Sequence, residues 1–328
     1  MTVTAVQYGV GPIGSRIVEA ALDRGYELVG AVDVDPAKVG EDLGAVAGLD
    51  EELGVTVTDD AGAALAAGPD VVLHSTASSI AAVEEQLVAA MAAGADVVST
   101  TEELSYPWRA HPDAAGRLDD AAAEHGATCL GTGINPGFAM DALPAVATAP
   151  CRSVESVRVE RVQDAGTRRG PLQRKVGAGL SLEAWEAEVA ADAGHVGLPE
   201  SVAMLAAGLG WELDDVAETM EPVVADGRTE TDHVVVEPGE AAGIHQVATG
   251  VVAGEPAIEL DLRLYVGAPE SRDAVSVRGD PDVELAVEGG LHGDVTTPAV
   301  VLNSVPRVRE AAPGLATMLD LATPRFTA

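Results

Sequence analysis

Short apolar runs alternate with amphipathic helical stretches through the first 130 positions of the chain. The helical stretches include 80–93, which is followed by Gly94, and 113–125. Strands that are apolar at nearly every position and are separated by helices are typical of a parallel sheet covered on both faces. The apolar runs are 3–8, 27–33, 70–74, 96–99 and 127–130. This pattern predicts an α/β fold built on a doubly wound parallel sheet.

The pattern changes after about residue 140. Residues 154–162 alternate between apolar and polar side chains, as a half-exposed strand does, and helical patterns follow near 182–193 and 199–209. Further strands, separated by Gly, Pro and Asp turns, are predicted near 233–237, 244–253, 257–266, 274–278 and 283–288. This indicates a second α+β domain on a largely antiparallel sheet.

The tail from residue 294 has a helical pattern again, and Pro306 is expected to break or kink that helix. We therefore expect residues 1–140, joined by the C-terminal return 291–328, to form the first domain. Residues 141–290 are then expected to form a substrate-binding and oligomerisation domain.

A glycine-rich turn stands between the first predicted strand and the first predicted helix. Gly9 permits a tight turn, Gly11 lets a pyrophosphate approach the backbone, and Gly14 lets the helix pack closely on the strand. The N–H groups of the first helical turn favour an anion, and Pro12 lacks its N–H where that donor is least needed. Residues 9–14, with Ile13 among them, predict the dinucleotide site of a Rossmann domain.

Asp33 ends the second predicted strand, 19 positions after Gly14. A carboxylate at that spacing can accept both hydroxyls of an adenosine ribose and repels a 2′-phosphate. No Arg follows it, which favours NAD over NADP, although Lys38 could offset this preference. The alternative is an acidic residue that only caps a turn.

The charge of the chain is unusual. There are 53 acidic and 19 basic residues, a net charge of −34, and only two of the basic residues are lysines. Such a surface excludes nucleic-acid binding, which needs clustered Lys and Arg. Its self-repulsion requires strong screening by salt, which indicates a halophilic protein. The alternative is an ordinary acidic protein.

Other features bear on location and on metals. Cys129 and Cys151 have neither metal-ligand spacing nor the pattern of a disulfide framework, so we expect no metal site. The first residues lack the features of a signal peptide, and no uninterrupted apolar stretch reaches about 20 residues. We therefore expect a cytoplasmic protein with no membrane span.

Longer motifs carry a family resemblance. Residues 27–44 resemble the Rossmann domain of the dihydrodipicolinate reductase type. Five further stretches resemble the 2,4-diaminopentanoate dehydrogenase family, namely 74–79 (HSTASS), 99–108 (STTEELSYPW), 131–138 (GTGINPGF), 195–198 (HVGL) and 289–294 (GGLHGD). Dihydrodipicolinate reductases carry a His-His-x-x-Lys stretch and a Ser-Gly-Thr turn, which 163–171 (QDAGTRRGP) lacks. This departure argues against reduction of a cyclic dicarboxylate.

The resemblance implies that small and polar residues following three successive strands surround the cofactor. They are Ser75, Thr76 and Ala77 at a ribose, Thr100, Thr101 and Glu102 near the nicotinamide, and Asn135 and Gly137 at its carboxamide. All three segments follow the carboxyl ends of predicted parallel strands, where open α/β sheets bind ligands. For 75–79 the alternative is an ordinary helix cap.

Amine oxidation needs a proton acceptor and a carboxylate for the cationic substrate. His195, in a tight loop, is our candidate for proton transfer, with His292 as the second choice and a structural histidine as the alternative for each. Glu102 is the candidate for the substrate ammonium, although Glu103 beside it and plain solvation are alternatives.

A basic cluster at 168–175 contains four of the 19 basic residues. We expect the stretch 164–176 to line the interdomain cleft and Lys175 to act as a proton donor, with a subunit contact as the alternative.

The expected activity is NAD(P)-dependent oxidative deamination of an amine or diamino acid, such as 2,4-diaminopentanoate, or the reverse reduction. NAD is the expected cofactor, with NADP as the alternative, and the partner is a small-molecule amine. We expect a homodimer or homotetramer. Alternatives are another imine or aldehyde reductase of the same architecture and a non-catalytic dinucleotide sensor. No Ser/His/Asp triad, P-loop or HExxH pattern supports a hydrolase or a kinase.

Overall fold

A computed structural model describes residues 2–190 and 196–326 of the chain. These residues divide into two compact units. The first unit runs up to Phe138 and resumes at Gly293, and the second unit is Ala139–His292. The substrate-binding and oligomerisation roles expected of the second unit stay predictions. In the described part of the chain, no helix is both long and apolar enough to cross a membrane.

Strands and helices alternate along the first unit before the chain enters the second. The strands up to Phe138 are β1 Thr4–Tyr8, β2 Glu27–Val32, β3 Val57–Thr58, β4 Val71–His74, β5 Asp96–Ser99 and β6 Thr128–Gly131. The helices are α1 Pro12–Asp23, α2 Leu43–Ala47, α3 Ala61–Leu65, α4 Ile80–Ala92 and α5 Pro112–His125, with a 3₁₀ turn at Glu102–Ser105.

The second unit has shorter helices and longer strands. Its helices are α6 Ala142–Ala147, α7 Gly170–Lys175, α8 Leu182–Glu188 and α9 Leu198–Leu209, with a 3₁₀ turn at Ala165–Thr167. Its strands are β7 Ser153–Asp164, β8 Asp215–Val224, β9 Thr229–Glu230, β10 Val235–Val236, β11 Ala241–Val252, β12 Glu255–Tyr265, β13 Arg272–Asp280 and β14 Val283–Glu288. The chain then returns to the first unit through α10 Gly293–Val308 and β15 Gly314–Ala316.

The first unit contains a seven-stranded sheet in the order β15-β6-β5-β4-β1-β2-β3, in which every pair is parallel. Central strand residues such as Val6, Val72 and Val97 are fully buried because helices cover both faces. The predicted doubly wound α/β fold is confirmed. Strand order reverses at β1, which lies between β4 and β2, and ligands bind at such a switch point in open sheets.

The C-terminal tail differs from its prediction. Helix α10 does not break at Pro306 but extends to Val308, because a proline in the last turn removes only one hydrogen bond of the helix. The residues beyond it are not helical throughout. Gly314–Ala316 form a short strand that pairs with β6 at the edge of the sheet. A strand of three residues has too few positions for a detectable sequence period.

The second unit is built on a six-stranded sheet in the order β14-β13-β7-β12-β11-β8. Only β7 and β12 pair in parallel, so the predicted largely antiparallel sheet is confirmed. Strand β8 was not predicted, because it is an edge strand with mostly exposed or half-buried positions and lacks the apolar alternation of a covered strand. Helix α9 packs on β11 and β12, so close that a Cβ added to Gly250 would lie 2.7 Å from Val202 Cγ1.

Candidate functional site

The carboxyl ends of the parallel strands in the first unit form one continuous row. Tyr8, the last residue of β1, pairs with Val32 on one side and with His74 on the other, and His74 pairs with Ser99. The next residue of each chain segment extends this ladder by one hydrogen bond. The Gly9, Ser75, Thr100 and Thr132 amides donate to carbonyls of the preceding row at 2.7, 2.7, 2.9 and 2.8 Å. Residues predicted at the cofactor therefore share one edge of the sheet.

The glycine-rich turn has the geometry that a dinucleotide requires. Gly9 has φ +90°, which favours glycine, and a Cβ there would lie 2.9 Å from Thr76 Cγ2. A Cβ at Gly14 would lie 2.0 Å from the Gly9 carbonyl oxygen, so helix and turn are in close contact. A Cβ at Gly11 would meet no atom within 4 Å. The open face at Gly11 is where the turn can receive a phosphate.

The Gly9–Val10 peptide group is held at both of its polar atoms. Its carbonyl oxygen accepts from Gln7 Nε2 at 2.8 Å and from Ser75 Oγ at 2.9 Å. Its N–H, which belongs to Val10, donates to Asp33 Oδ2 at 2.9 Å. The first-turn N–H groups of α1 lack helical partners and stay available to an anion, apart from the position of Pro12. Sequence reasoning missed Gln7, whose only signal is a polar residue inside an apolar strand.

Asp33 follows β2 beside this turn and carries a compensated charge. Lys38 Nζ donates to Oδ2 at 2.8 Å, and the Asp35 amide donates to Oδ1 at 2.9 Å. Burial raises the pKa of Asp33, but the hydrogen bonds from Lys38 and from the Asp35 and Val10 amides outweigh burial and lower it overall. Asp33 is therefore an anion at neutral pH with an ammonium directly against it.

The segment after β4 contacts the turn instead of capping the following helix with its own side chain. Ser79 is the N-cap of α4 but makes no side-chain cap hydrogen bond. The Ile80 amide instead donates to Glu103 Oε2 at 2.7 Å, and His111 Nε2 lies 3.4 Å from the same oxygen. Glu103 thus has a structural role at this helix end. Ser75 and Thr76 contact Gly9 of the glycine turn instead.

The segments after β5 and β6 lie at the same edge. Thr101 is buried, and its hydroxyl donates to the Ala77 carbonyl at 2.8 Å. Gly137 has φ +120°, and a Cβ there would lie 2.4 Å from the Gly133 nitrogen. Asn135 is also buried, and Glu102 begins the 3₁₀ turn after β5. The buried Thr132 hydroxyl has no hydrogen-bond partner among the described residues.

A nicotinamide dinucleotide fits these residues. The open backbone at Gly11 and the first turn of α1 suit the pyrophosphate, and the Asp33 carboxylate suits a ribose. The unpartnered Thr132 hydroxyl suits a polar group placed beyond β6. Across residues 2–190 and 196–326, no group of three or more His, Cys, Asp or Glu side chains could hold a metal ion.

The remaining predicted catalytic residues belong to the second unit. His195 lies outside the described residues. Lys175 is the last residue of α7 and is exposed within its own unit. The segment before it is folded around buried Gln173, whose Nε2 donates to the carbonyls of Gly166 and Arg168 at 3.2 and 2.7 Å. The catalytic roles of Lys175 and His195 stay predictions.

Buried Arg161 and Asp273 form an ion pair on the sheet of the second unit, and sequence reasoning missed it. Arg161 Nη2 donates to the Leu291 carbonyl at 2.7 Å, and the Leu291 amide donates to Asp273 Oδ2 at 2.6 Å. Burial lowers the pKa of Arg161, and the neighbouring Asp273 carboxylate offsets only part of this shift. The pair anchors the backbone just before His292, the last residue of the unit.

The parallel sheet, the glycine turn and the acidic residue after β2 together define a dinucleotide-binding domain of the Rossmann class. Residues 138–328 match the family described as 2,4-diaminopentanoate dehydrogenase C-terminal domain. The 2,4-diaminopentanoate dehydrogenase of Acetoanaerobium sticklandii is 30% identical over 334 residues, which cover 98% of this chain and 94% of that protein. The chain therefore belongs to the 2,4-diaminopentanoate dehydrogenase family.

Solved structures agree with this assignment. The amine dehydrogenase of Mycobacterium smegmatis superposes with a TM-score of 0.88 at 26% identity, covering 100% of this chain and 98% of that one. Dihydrodipicolinate reductase from Paenisporosarcina sp. TG-14, at 14% identity and a TM-score of 0.54, covers 97% of this chain and 99% of that one and shares the fold. The predicted family and the predicted enzyme class, a dehydrogenase acting on an amine, are confirmed.

Proposed function

We propose that this enzyme binds NAD at the glycine turn and oxidatively deaminates a small diamino acid of the 2,4-diaminopentanoate kind, or runs the reverse reductive amination. The observation that carries the proposal is the open turn at Gly11 beside Asp33 in a chain of this family. Oxidation of a primary ammonium with one NAD and one water gives the carbonyl compound, ammonium, reduced cofactor and one proton. The bound nicotinamide supplies the hydride acceptor for this reaction.

The chain's own residues bind and orient the reactants. The amides of the first α1 turn bind the pyrophosphate, while Gln7 and Ser75 fix the Gly9 carbonyl that shapes this turn. Thr100, Thr101, Asn135 and Gly137 surround the nicotinamide end in this proposal. The hydroxyl of Thr132, which the sequence resemblance did not assign, lies on the same edge and can bond to the bound cofactor.

A carboxylate has to hold the cationic substrate. We propose Glu102, which begins the 3₁₀ turn after β5, for the substrate ammonium. Glu103 beside it accepts the Ile80 amide and lies close to His111. Proton transfer is proposed for His195, with Lys175 of the basic cluster as the second proton-handling group. A subunit contact is the competing role of that cluster.

NAD is the proposed preferred cofactor, and NADP is a weaker alternative. The Asp33 carboxylate suits the two ribose hydroxyls and disfavours a 2′-phosphate. Lys38, bonded to Asp33 at 2.8 Å, offsets part of that repulsion and leaves NADP usable. The net charge of −34 supports a protein adapted to high salt, and we propose a cytoplasmic homodimer or homotetramer.

The proposal is tested by following reduced-cofactor absorbance with NAD and NADP against a panel of diamines, diamino acids and monoamines in multimolar KCl. The expected result is turnover with NAD and a diamino acid, with release of ammonium. Tight binding of NAD without turnover on any amine would contradict the proposed activity and favour a sensor.

A further inference from the structure

We propose that His74 is a positioning residue that locks the segments following β4 and β5 into one cofactor-binding surface. The proposal deepens the proposed function, because it assumes a dinucleotide at that surface. His74 is the last residue of β4 and is 1% exposed. Its two ring nitrogens contact different segments, which places the ring between them.

On one side, His74 begins a chain of hydrogen bonds to the segment after β5. Nδ1 lies 2.8 Å from Ser99 Oγ, and Ser99 Oγ lies 3.0 Å from Thr101 Oγ1. The Thr101 hydroxyl in turn donates to the Ala77 carbonyl at 2.8 Å, and the Thr101 amide donates to Ser99 Oγ at 3.1 Å. This series of hydrogen bonds starts on β4, passes through β5 and returns to the segment after β4.

The last acceptor in this series of hydrogen bonds, the Ala77 carbonyl, decides which hydroxyl donates to which. A carbonyl only accepts, so the Thr101 hydroxyl hydrogen points to Ala77 and the Thr101 oxygen accepts from Ser99. Ser99 Oγ, which lies 2.8 Å from Nδ1 and directs its hydrogen to Thr101, therefore joins the His74 ring to the segment after β5.

On the other side, Nε2 contacts Thr76 and Gln86. Thr76 Oγ1 lies 3.1 Å from Nε2, and Gln86 Oε1 lies 2.9 Å from both Nε2 and Thr76 Oγ1. The Thr76 hydroxyl donates to Gln86 Oε1, and Gln86 Nε2 donates to the Ala82 carbonyl at 3.4 Å, which fixes the orientation of the amide. These contacts fix the rotamer of Thr76.

That rotamer matters at the glycine turn. With its hydroxyl at His74, Thr76 directs its methyl group to Gly9, where an added Cβ would lie only 2.9 Å from Thr76 Cγ2. Thr76 therefore contacts both the imidazole and the turn proposed to receive the pyrophosphate. Loss of the ring would free Thr76 and Thr101 together, although they follow different strands.

The ring is not placed for acid–base catalysis. The chain ends on the Ala77 carbonyl, which cannot pass a proton onward, and the Tyr8 ring lies over His74 with centroids 5.5 Å apart. Burial lowers the pKa of His74 to about 4, which keeps the imidazole neutral at working pH. A neutral, buried ring with both nitrogens engaged acts by holding its neighbours.

The test is a titration of NADH into His74→Phe, with His125→Phe as the matched control, because His125 is exposed in the last turn of α5. We expect the Kd for NADH to rise at least about tenfold in His74→Phe and to stay unchanged in the control. With saturating cofactor, kcat is expected to stay within about threefold. A kcat loss with unchanged Kd would overturn the proposal in favour of a catalytic role.

Ser99→Ala is the second variant, because it removes the link and keeps the histidine. We expect its effect on Kd to be smaller, and the double variant His74→Phe/Ser99→Ala to bind no more weakly than His74→Phe alone. Additive effects of the two substitutions on the Kd for NADH would contradict the proposed coupling of His74 and Ser99. NADH titration needs no amine, so a wrong substrate would not affect this test.

Discussion

Lys38 donates to Asp33 across 2.8 Å, from Nζ to Oδ2, in the segment that follows β2. The same oxygen accepts the Val10 amide at 2.9 Å, so the acidic residue is tied both to the glycine turn and to an ammonium. A 2′-phosphate approaching Asp33 would therefore meet a positive charge as well as a negative one. We therefore expect Lys38 to determine how strictly the proposed site distinguishes NAD from NADP.

Lys38→Ala is expected to weaken NADP binding more than NAD binding, by about tenfold in the ratio of the two Kd values, because Asp33 is left without its compensating charge. Asp33→Ser should shift the ratio the other way. Isothermal titration at high salt measures both constants. Arg228→Ala, which removes an exposed cation paired with Glu230 and Glu237 in the second unit, is the control and should leave the ratio unchanged. An unchanged ratio in Lys38→Ala would contradict the assignment.

Two glycines of the turn should respond differently to substitution. Gly11→Ala has open space around it and is expected to keep the melting temperature while weakening NADH binding, because the methyl group occupies the path of the pyrophosphate. Gly14→Ala is expected to lower the melting temperature, because its Cβ would lie 2.0 Å from the Gly9 oxygen. Gly116→Ala, in the open interior of α5, should stabilise by about 0.5–1 kcal/mol without affecting binding. Unchanged NADH affinity in Gly11→Ala would contradict the proposal that the pyrophosphate binds at this turn.

Glu102 and Glu103 form a second matched pair. Glu103→Gln is expected to lower the melting temperature, because a neutral amide oxygen accepts the Ile80 amide at the start of α4 less strongly than the carboxylate does, and to leave the KM for the amine within about twofold. Glu102→Gln should raise that KM at least about tenfold, because a neutral amide attracts an ammonium less strongly than a carboxylate. Steady-state kinetics and thermal melts separate the two. Equal kinetic effects would contradict the division of roles.

Buried His74 should make stability depend on pH. Its folded pKa of about 4 lies below the ordinary histidine value of 6.5, so the unfolded chain binds a proton between these values that the folded protein does not. Its contribution to the free energy of unfolding is complete above pH 6.5 and falls as the pH drops, by about 2 kcal/mol at pH 5. Urea unfolding of the native protein and His74→Phe at pH 7 and 5 isolates this difference. An equal loss of unfolding free energy in both proteins would show that groups other than His74 cause the pH dependence.

Local patterns were sufficient to predict the fold class, the glycine turn and Asp33, because each depends on residues close in sequence. Contacts between distant segments were not predictable. Gln7 bonds to Ser75, and Glu103 bonds to the start of α4, only because the sheet brings separate strands to one edge. Strand β8 was missed because exposed edge positions lack an apolar period. The motif at 74–79 predicted a cofactor-binding segment. The contacts of its His74 with Ser99 and Gln86 were not predictable, because they join segments that are separate in sequence.

In the proposed reaction, the site removes hydride and ammonia from the same amine. Incubation of the protein with 2,4-diaminopentanoate and NAD in multimolar KCl, with ammonium and reduced cofactor quantified together, tests it directly. We expect one ammonium for each reduced cofactor, with both rates falling together in Gly11→Ala at subsaturating NAD. Reduced cofactor without ammonium, or NAD binding without turnover, would contradict the account.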